Sequence, residues 1–219
     1  MDKKLKNMFD LKDKVIIITG AAGLLGKSHA DAIAQYGGTP ILIDINKDSV
    51  IKLSEDINKK YDVNSSAFSI DITNEEQVNN TKNLIIENYG KIDGLVNNAA
   101  NNPKVEENQD LNFSRLENFP LDIWNSDINV SLTGSFLCSK YFGLEISKNM
   151  NGGSIVNISS DLGLIAPDQR LYAKKGVAKD MQSCKPVSYS VVKTGIIGLT
   201  RYLSTYWVEE NVRCNAICP

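Results

Sequence analysis

Short β-branched apolar runs alternate along this chain with longer stretches of helical period. Residues 14–19 (Lys-Val-Ile-Ile-Ile-Thr) read as a first strand, and the unbroken apolar run suits burial on both faces, as in a parallel sheet. A glycine-rich turn at 20–26 leads into a helical segment ending near Tyr36. Residues 39–44 form a second strand, 48–61 a helix and 65–70 a third strand. Thr73 or Asn74 caps the next helix, with Glu75, Glu76 and Gln77 in its first turn and Gly90 as its stop. Residues 92–96 are a fourth strand. A polar loop rich in Asn and Glu covers 101–122, with one helical turn near 113–116. A long helix over 123–150 carries the small residues Ser131, Thr133, Gly134 and Ser135. Residues 153–158 are a fifth strand, 161–187 are irregular, 191–207 have helical spacing, and 212–219 read as a sixth strand.

Strands alternating with helices predict an α/β fold: a Rossmann-type doubly wound parallel sheet with helices on both faces. The 219 residues suffice for one such domain over 1–219, with a charged leader at 1–12 and an insertion at 161–187. Apolar content of 42% and charged content of 23% suit a globular chain, and a net charge of -2 gives no reason to expect nucleic acid or a membrane surface as partner. No apolar run approaches a membrane span, and the leader lacks the apolar core of a signal peptide, so a cytoplasmic location is expected. Cys138, Cys184, Cys214 and Cys218 form no C-x-x-C pair, and His29 is the sole histidine, so the expectation is reduced thiols and no metal site.

Gly20-Ala21-Ala22-Gly23-Leu24-Leu25-Gly26, between a strand and a helix, is an arrangement that cradles a pyrophosphate, although an ordinary tight turn has the same signature. Asp44 ends the second strand, about twenty residues on, where an acid accepts hydrogen bonds from an adenosine ribose and repels a 2′-phosphate. With no Arg or Lys within the loop, NAD is favoured over NADP. Tyr189 and Lys193 stand four apart, one helical turn on one face, where an ammonium can lower the pKa of a phenol. Arg170, Lys174, Lys175, Lys179 and Lys185 outnumber Asp168 and Asp180 in the irregular stretch, which reads either as a solvated loop or as a basic lid over an anionic substrate.

Thr19-Gly20 with its glycine loop, Asp44, Asp71-Ile72, Asn97-Asn98-Ala99-Ala100, Asn129 in Asn-Val-Ser-Leu-Thr-Gly, Ser160, and Tyr189-x-x-x-Lys193 together resemble the short-chain dehydrogenase/reductase family. The resemblance implies an NAD(P)-dependent oxidoreductase interconverting a secondary alcohol and a ketone. It makes Tyr189 the general acid/base and has Lys193 lower its pKa and bond the nicotinamide ribose. It has Ser160 polarise the substrate oxygen and Asn129 anchor a relay water. It assigns Gly20, Gly23, Leu25 and Gly26 to the pyrophosphate, Asp44 to the ribose, Asp71 and Ile72 to the adenine, and Asn98 to the nicotinamide half, with Asn97 bracing the sheet. It further implies a homodimer or homotetramer paired through the helices of Asn129 and Tyr189.

Three departures stand out. The loop spacing is T-G-x-x-G-x-x-G, with Leu24 where many members have glycine, a spacing more common among nucleotide-sugar dehydratases and epimerases. The Ser160 to Tyr189 interval is longer than usual, and the added residues are expected to cover the substrate. The family's last strand and substrate loop follow a Cys-Pro like that of Cys218-Pro219, and here they are expected to be missing, which leaves a fragment or a non-catalytic cofactor-binding protein as one alternative and a nucleotide-sugar dehydratase or epimerase as another. The stretch 160–169 and Lys185-Pro186-Val187 are similar to members linked to bacterial surface-sugar or flagellin modification, consistent with an anionic sugar as substrate.

Overall fold

The computed structural model describes residues 9–101 and 113–219; most of the charged leader and the centre of the 101–122 loop lie outside the described residues. Six parallel strands form one sheet in the order β3-β2-β1-β4-β5-β6: β1 Val15–Thr19, β2 Thr39–Asp44, β3 Ser66–Ser69, β4 Gly94–Asn97, β5 Gly153–Ile158 and β6 Val212–Ile217. The helices are α1 Leu24–Gln35, α2 Lys47–Tyr61, α3 Glu75–Tyr89, α4 Leu121–Asp127, α5 Gly134–Ser147 and α6 Val187–Tyr206. This is the expected doubly wound sheet, and its order reverses between β1 and β4. Among the described residues no helix is long and apolar enough to cross a membrane.

The two-residue period of the strands sorts their side chains into two cores. Ile17, Ile41, Ile43 and Leu95 pack against α3, α5 and α6 through Val78, Ile85, Phe142, Ile146 and Leu203. Ile18 and Leu42, pointing the other way, pack against Ala30, Ile33 and Ala34 of α1 and Val50 and Ile57 of α2. Asn74, one of the two expected caps, accepts from the Gln77 N–H, and Gly90 ends α3 with φ of 75°.

The structure differs from the sequence reading in three places. Strand β4 begins two residues late, because Asp93 is occupied in binding the Val15 N–H (2.9 Å) and the Lys14 ammonium (3.1 Å) at the sheet's lower edge. The long helix runs from Leu121 through a π-helical turn at Ile128–Thr133 into α5, starting inside the stretch expected to be loop. Helix α6 starts at Val187, directly after Pro186, so Tyr189 lies in its first turn.

Candidate active site

The C-terminal ends of β1, β2, β4 and β5 converge beside the point where strand order reverses. At the end of β1, Gly20 has φ of +62°, and a Cβ there would lie 2.8 Å from the Ala99 Cα. A Cβ on Gly26 would lie 2.2 Å from the Gly20 carbonyl oxygen, so only glycine lets α1 seat this closely on the loop. Gly23 caps α1 without a side-chain acceptor, which leaves the first-turn N–H groups to an anion. Leu24, 87% exposed, points into solvent, so the loop accommodates it where a glycine was expected. Leu25 is also exposed beside it. The residues fit a dinucleotide pyrophosphate.

Asp44 closes one side of this cradle. Its carboxylate accepts hydrogen bonds from the Ala22 N–H (2.9 Å) and the Asn46 N–H (2.9 Å), which hold it at the mouth of the loop. Asn98 donates from Nδ2 to the carbonyls of Thr19 and Gly20, both at 3.0 Å, so its side chain fixes the start of the loop. Asn97 bridges the middle of the sheet, donating to Asn157 (2.8 Å) and to Ser139 (3.0 Å). Asp71 folds back on its own turn and accepts from the Thr73 N–H and hydroxyl.

Beyond β5, the strand end is clamped to α6. Ser159 donates to the Lys193 carbonyl at 2.8 Å, and Thr194 donates to the Gly163 carbonyl at 3.1 Å. Ser159 is thereby committed to structure, which separates it from Ser160. Ser160 is buried, donates to the Asp161 carboxylate (2.8 Å) and accepts from the Leu162 N–H. Lys193 is 6% exposed, and its ammonium donates to the Ile158 carbonyl at 2.8 Å. Burial pushes the Lys193 pKa down to about 8; the Lys185 ammonium pushes the same way, and Cys218 opposes. The Lys193 nitrogen lies 5.7 Å from the centre of the half-buried Tyr189 ring. One helix face therefore carries the phenol and a desolvated amine, next to the strand end that bears Ser160.

Two further residues of the expected site have these surroundings. Asn129 is exposed, and its carbonyl accepts from the Gly134 N–H across the π-helical turn. The buried polar side chain of that turn is Ser131, whose hydroxyl has no partner among the described residues. The Ile72 side chain is 7% exposed and packs into the space above Gly134. Sequence reading also passed over the position of Lys185. Its ammonium sits 3.7 Å from the Tyr189 ring centre, closer than that of Lys193. Helical spacing does not announce it, because Lys185 precedes the helix, whose first residue is Val187.

A family model described as short chain dehydrogenase matches residues 14–219. An NAD-dependent glycerol dehydrogenase of Listeria innocua is 31% identical over 211 residues, covering 96% of this chain and 71% of that protein. A 3-oxoacyl-acyl-carrier-protein reductase of Thermotoga maritima is 32% identical, covering 95% of this chain and 74% of its own length. Among solved structures, an NAD+-bound xylitol dehydrogenase superposes with a TM-score of 0.78 at 26% identity, over 95% of this chain and 70% of that one.

Proposed function

The chain belongs to the short-chain dehydrogenase family, and from that premise we propose that it interconverts a secondary alcohol and a ketone on an anionic sugar derivative, with NAD as the hydride partner. The observation that carries this reading is the single face of α6 on which Tyr189 stands one turn from the buried Lys193 amine. Tyr189 exchanges a proton with the substrate oxygen, Ser160 holds that oxygen by a hydrogen bond, and Lys193 keeps a positive charge beside the phenol. When bound, NAD supplies the hydride acceptor or donor. Gly20, Gly23, Leu25 and Gly26 hold its pyrophosphate through backbone N–H groups, Asp44 its adenosine ribose, and Asp71 lies toward its adenine end. The Asp44 carboxylate at the mouth of the loop supports NAD over NADP, since a 2′-phosphate would meet its charge.

Two further expectations belong to the same reading. We assign the protein to the cytoplasm, in keeping with four cysteines that form no disulfide. We also expect a homodimer or homotetramer; Phe136 and Leu144 on α5 and Val191 and Tyr202 on α6 expose apolar surface of the kind a partner copy would cover. Light scattering that returns a monomer would contradict the second expectation.

Nicotinamide turnover by the full-length protein on a panel of alcohols and sugar phosphates tests the function. Tyr189→Phe should lower kcat at least ~100-fold while leaving NAD affinity within about threefold. Turnover that survives the substitution would remove the assigned role of Tyr189.

A further inference from the structure

Of the five cations in the 161–187 insertion, four have no business at the reaction centre. Arg170 is tied to Asp168 at 2.7 Å, and Lys174, Lys175 and Lys179 are exposed to solvent. Lys185 is different. It is half-buried, four residues before Tyr189, with its ammonium on the face of the Tyr189 ring. Its backbone N–H is held by the Gln169 side chain at 2.8 Å, which fixes where the side chain starts. The insertion itself is pinned, since Ser114 accepts from the Cys184 N–H (3.0 Å) and Arg115 donates to the Lys179 carbonyl (3.2 Å). Lys185 therefore stands on a braced segment and not on a loose loop.

Its ammonium has three N–H donors to satisfy. Among the described residues no carboxylate lies within ion-pair distance of it, and no oxygen accepts from its Nζ. The acid whose charge acts on it is Asp161, and that carboxylate already accepts from the Ser160 hydroxyl (2.8 Å) and the Leu162 N–H (2.7 Å). Burial holds the Lys185 pKa below the ordinary lysine value, with Asp161 opposing. Contact with an aromatic face attracts the cation but leaves its N–H donors without acceptors. Two cations, Lys185 and Lys193, stand at the Tyr189 ring, while the nearby carboxylates of Asp161 and Asp127 are taken up by Ser160 and Ser188. Lys185 also lines a cavity of 390 Å³ between residues 114–117 and the start of α6, within the size range of small-ligand sites. The Ser190 hydroxyl on that wall is buried and has no partner among the described residues.

We infer that Lys185 is a specificity-determining residue that binds the anionic group of the substrate, a carboxylate or a phosphate carried close to the carbinol that reacts. The inference rests on the reading of Tyr189 as the acid/base, and it narrows the substrate class. The negative charge lies near the reacting carbon, not at a far end of the molecule where the exposed lid lysines could meet it.

Two measurements on the full-length protein test this. The first compares kcat/KM for matched alcohols that differ in charge next to the carbinol, such as 3-hydroxybutyrate against 2-butanol and a sugar phosphate against the free sugar. Wild type should favour the charged member of each pair. Lys185→Met should shrink that preference at least ~30-fold, Lys185→Arg should restore part of it, and Lys175→Met should leave the preference as it is. An equal loss on charged and neutral substrates, or no preference in wild type, overturns the inference. The second needs no turnover: it follows labelling of each lysine by an amine-reactive reagent, read by peptide mass spectrometry, with and without inorganic phosphate or malonate. Either anion should slow labelling of Lys185 at least fivefold and leave Lys174 and Lys175 unchanged; an unchanged rate at Lys185 overturns the inference. Protection of Lys185 in a protein that oxidises no alcohol would instead sink the oxidoreductase reading and keep the anion site.

Discussion

Asp127 accepts a 2.5 Å hydrogen bond from Ser188, joining the last residue of α4 to the residue before Tyr189. Both side chains are buried, at 4% and 0% exposure. This bond sets the rotation of the first turn of α6 against the helix beneath it, and hence where the phenol points. Ser188→Ala should leave a buried carboxylate without its donor and lower stability by about 2–3 kcal/mol in urea unfolding. It should also reduce kcat more than it changes NAD affinity, since the loop of α1 is untouched. A stability change under about 0.5 kcal/mol would show that the bond does not matter.

Gly26→Ala tests the cradle. The added Cβ would fall 2.2 Å from the Gly20 carbonyl oxygen and 2.7 Å from the Ala21 Cα, both backbone atoms that cannot swing aside. Either α1 moves off the sheet or the loop deforms. We expect NAD affinity by calorimetry to drop at least ~10-fold, with about 1–3 kcal/mol of lost stability. An unchanged dissociation constant would mean that the cofactor does not use this loop.

The fold was open to sequence reading because β1 and β2 are almost wholly apolar runs and its turns carry Gly, Asn and Asp where the backbone requires them. Strand β2 falls on residues 39–44 as expected, and Asn74 and Gly90 cap α3 through local chemistry alone. The spacing of Tyr189 and Lys193 was equally local, because one helical turn fixes it. The misplacements arise where tertiary packing decides. Periodicity cannot announce a π turn, so the break at Ile128–Thr133 inside the long helix appears only in the structure. Ile72 was read by its neighbour Asp71, while its side chain fills the space that Gly134 leaves open. Lys185 lies in a stretch without periodicity, and only the folded insertion shows which of five cations meets Tyr189.

Asp44→Ala removes the carboxylate that the Ala22 and Asn46 N–H groups hold in place. Two effects should combine: a lost acceptor for the ribose and a looser loop. NAD affinity should fall about 10-fold and the NAD-over-NADP ratio should relax by a similar factor, as titrated by calorimetry with each cofactor. A ratio that stays the same would move the choice of cofactor to another residue.

Lys193 makes a prediction about pH. Its folded pKa, about 8, lies below the ordinary lysine value, so the folded state gives up its proton before the unfolded chain does. Below pH 8 both states are protonated, and the fold carries the full penalty of a buried ammonium. As pH rises from about 8 to about 10, the unfolded chain holds a proton that the folded chain has lost, so stability increases with pH across that window. The gain approaches about 3 kcal/mol for a shift of this size. Two buried thiols work in the opposite direction, because burial pushes Cys138 well up and Cys214 up to about 11, so their contribution to the fold weakens as pH climbs past the ordinary thiol range. The comparison must therefore be with Lys193→Met, in which both thiols are kept and the amine is absent. In cofactor-free urea unfolding, the stability of wild type relative to Lys193→Met should rise by about 2–3 kcal/mol between about pH 7 and pH 10.5. A difference that stays flat across that range would mean that the amine keeps its proton in the folded protein, held by the Ile158 carbonyl, and that its burial is compensated locally.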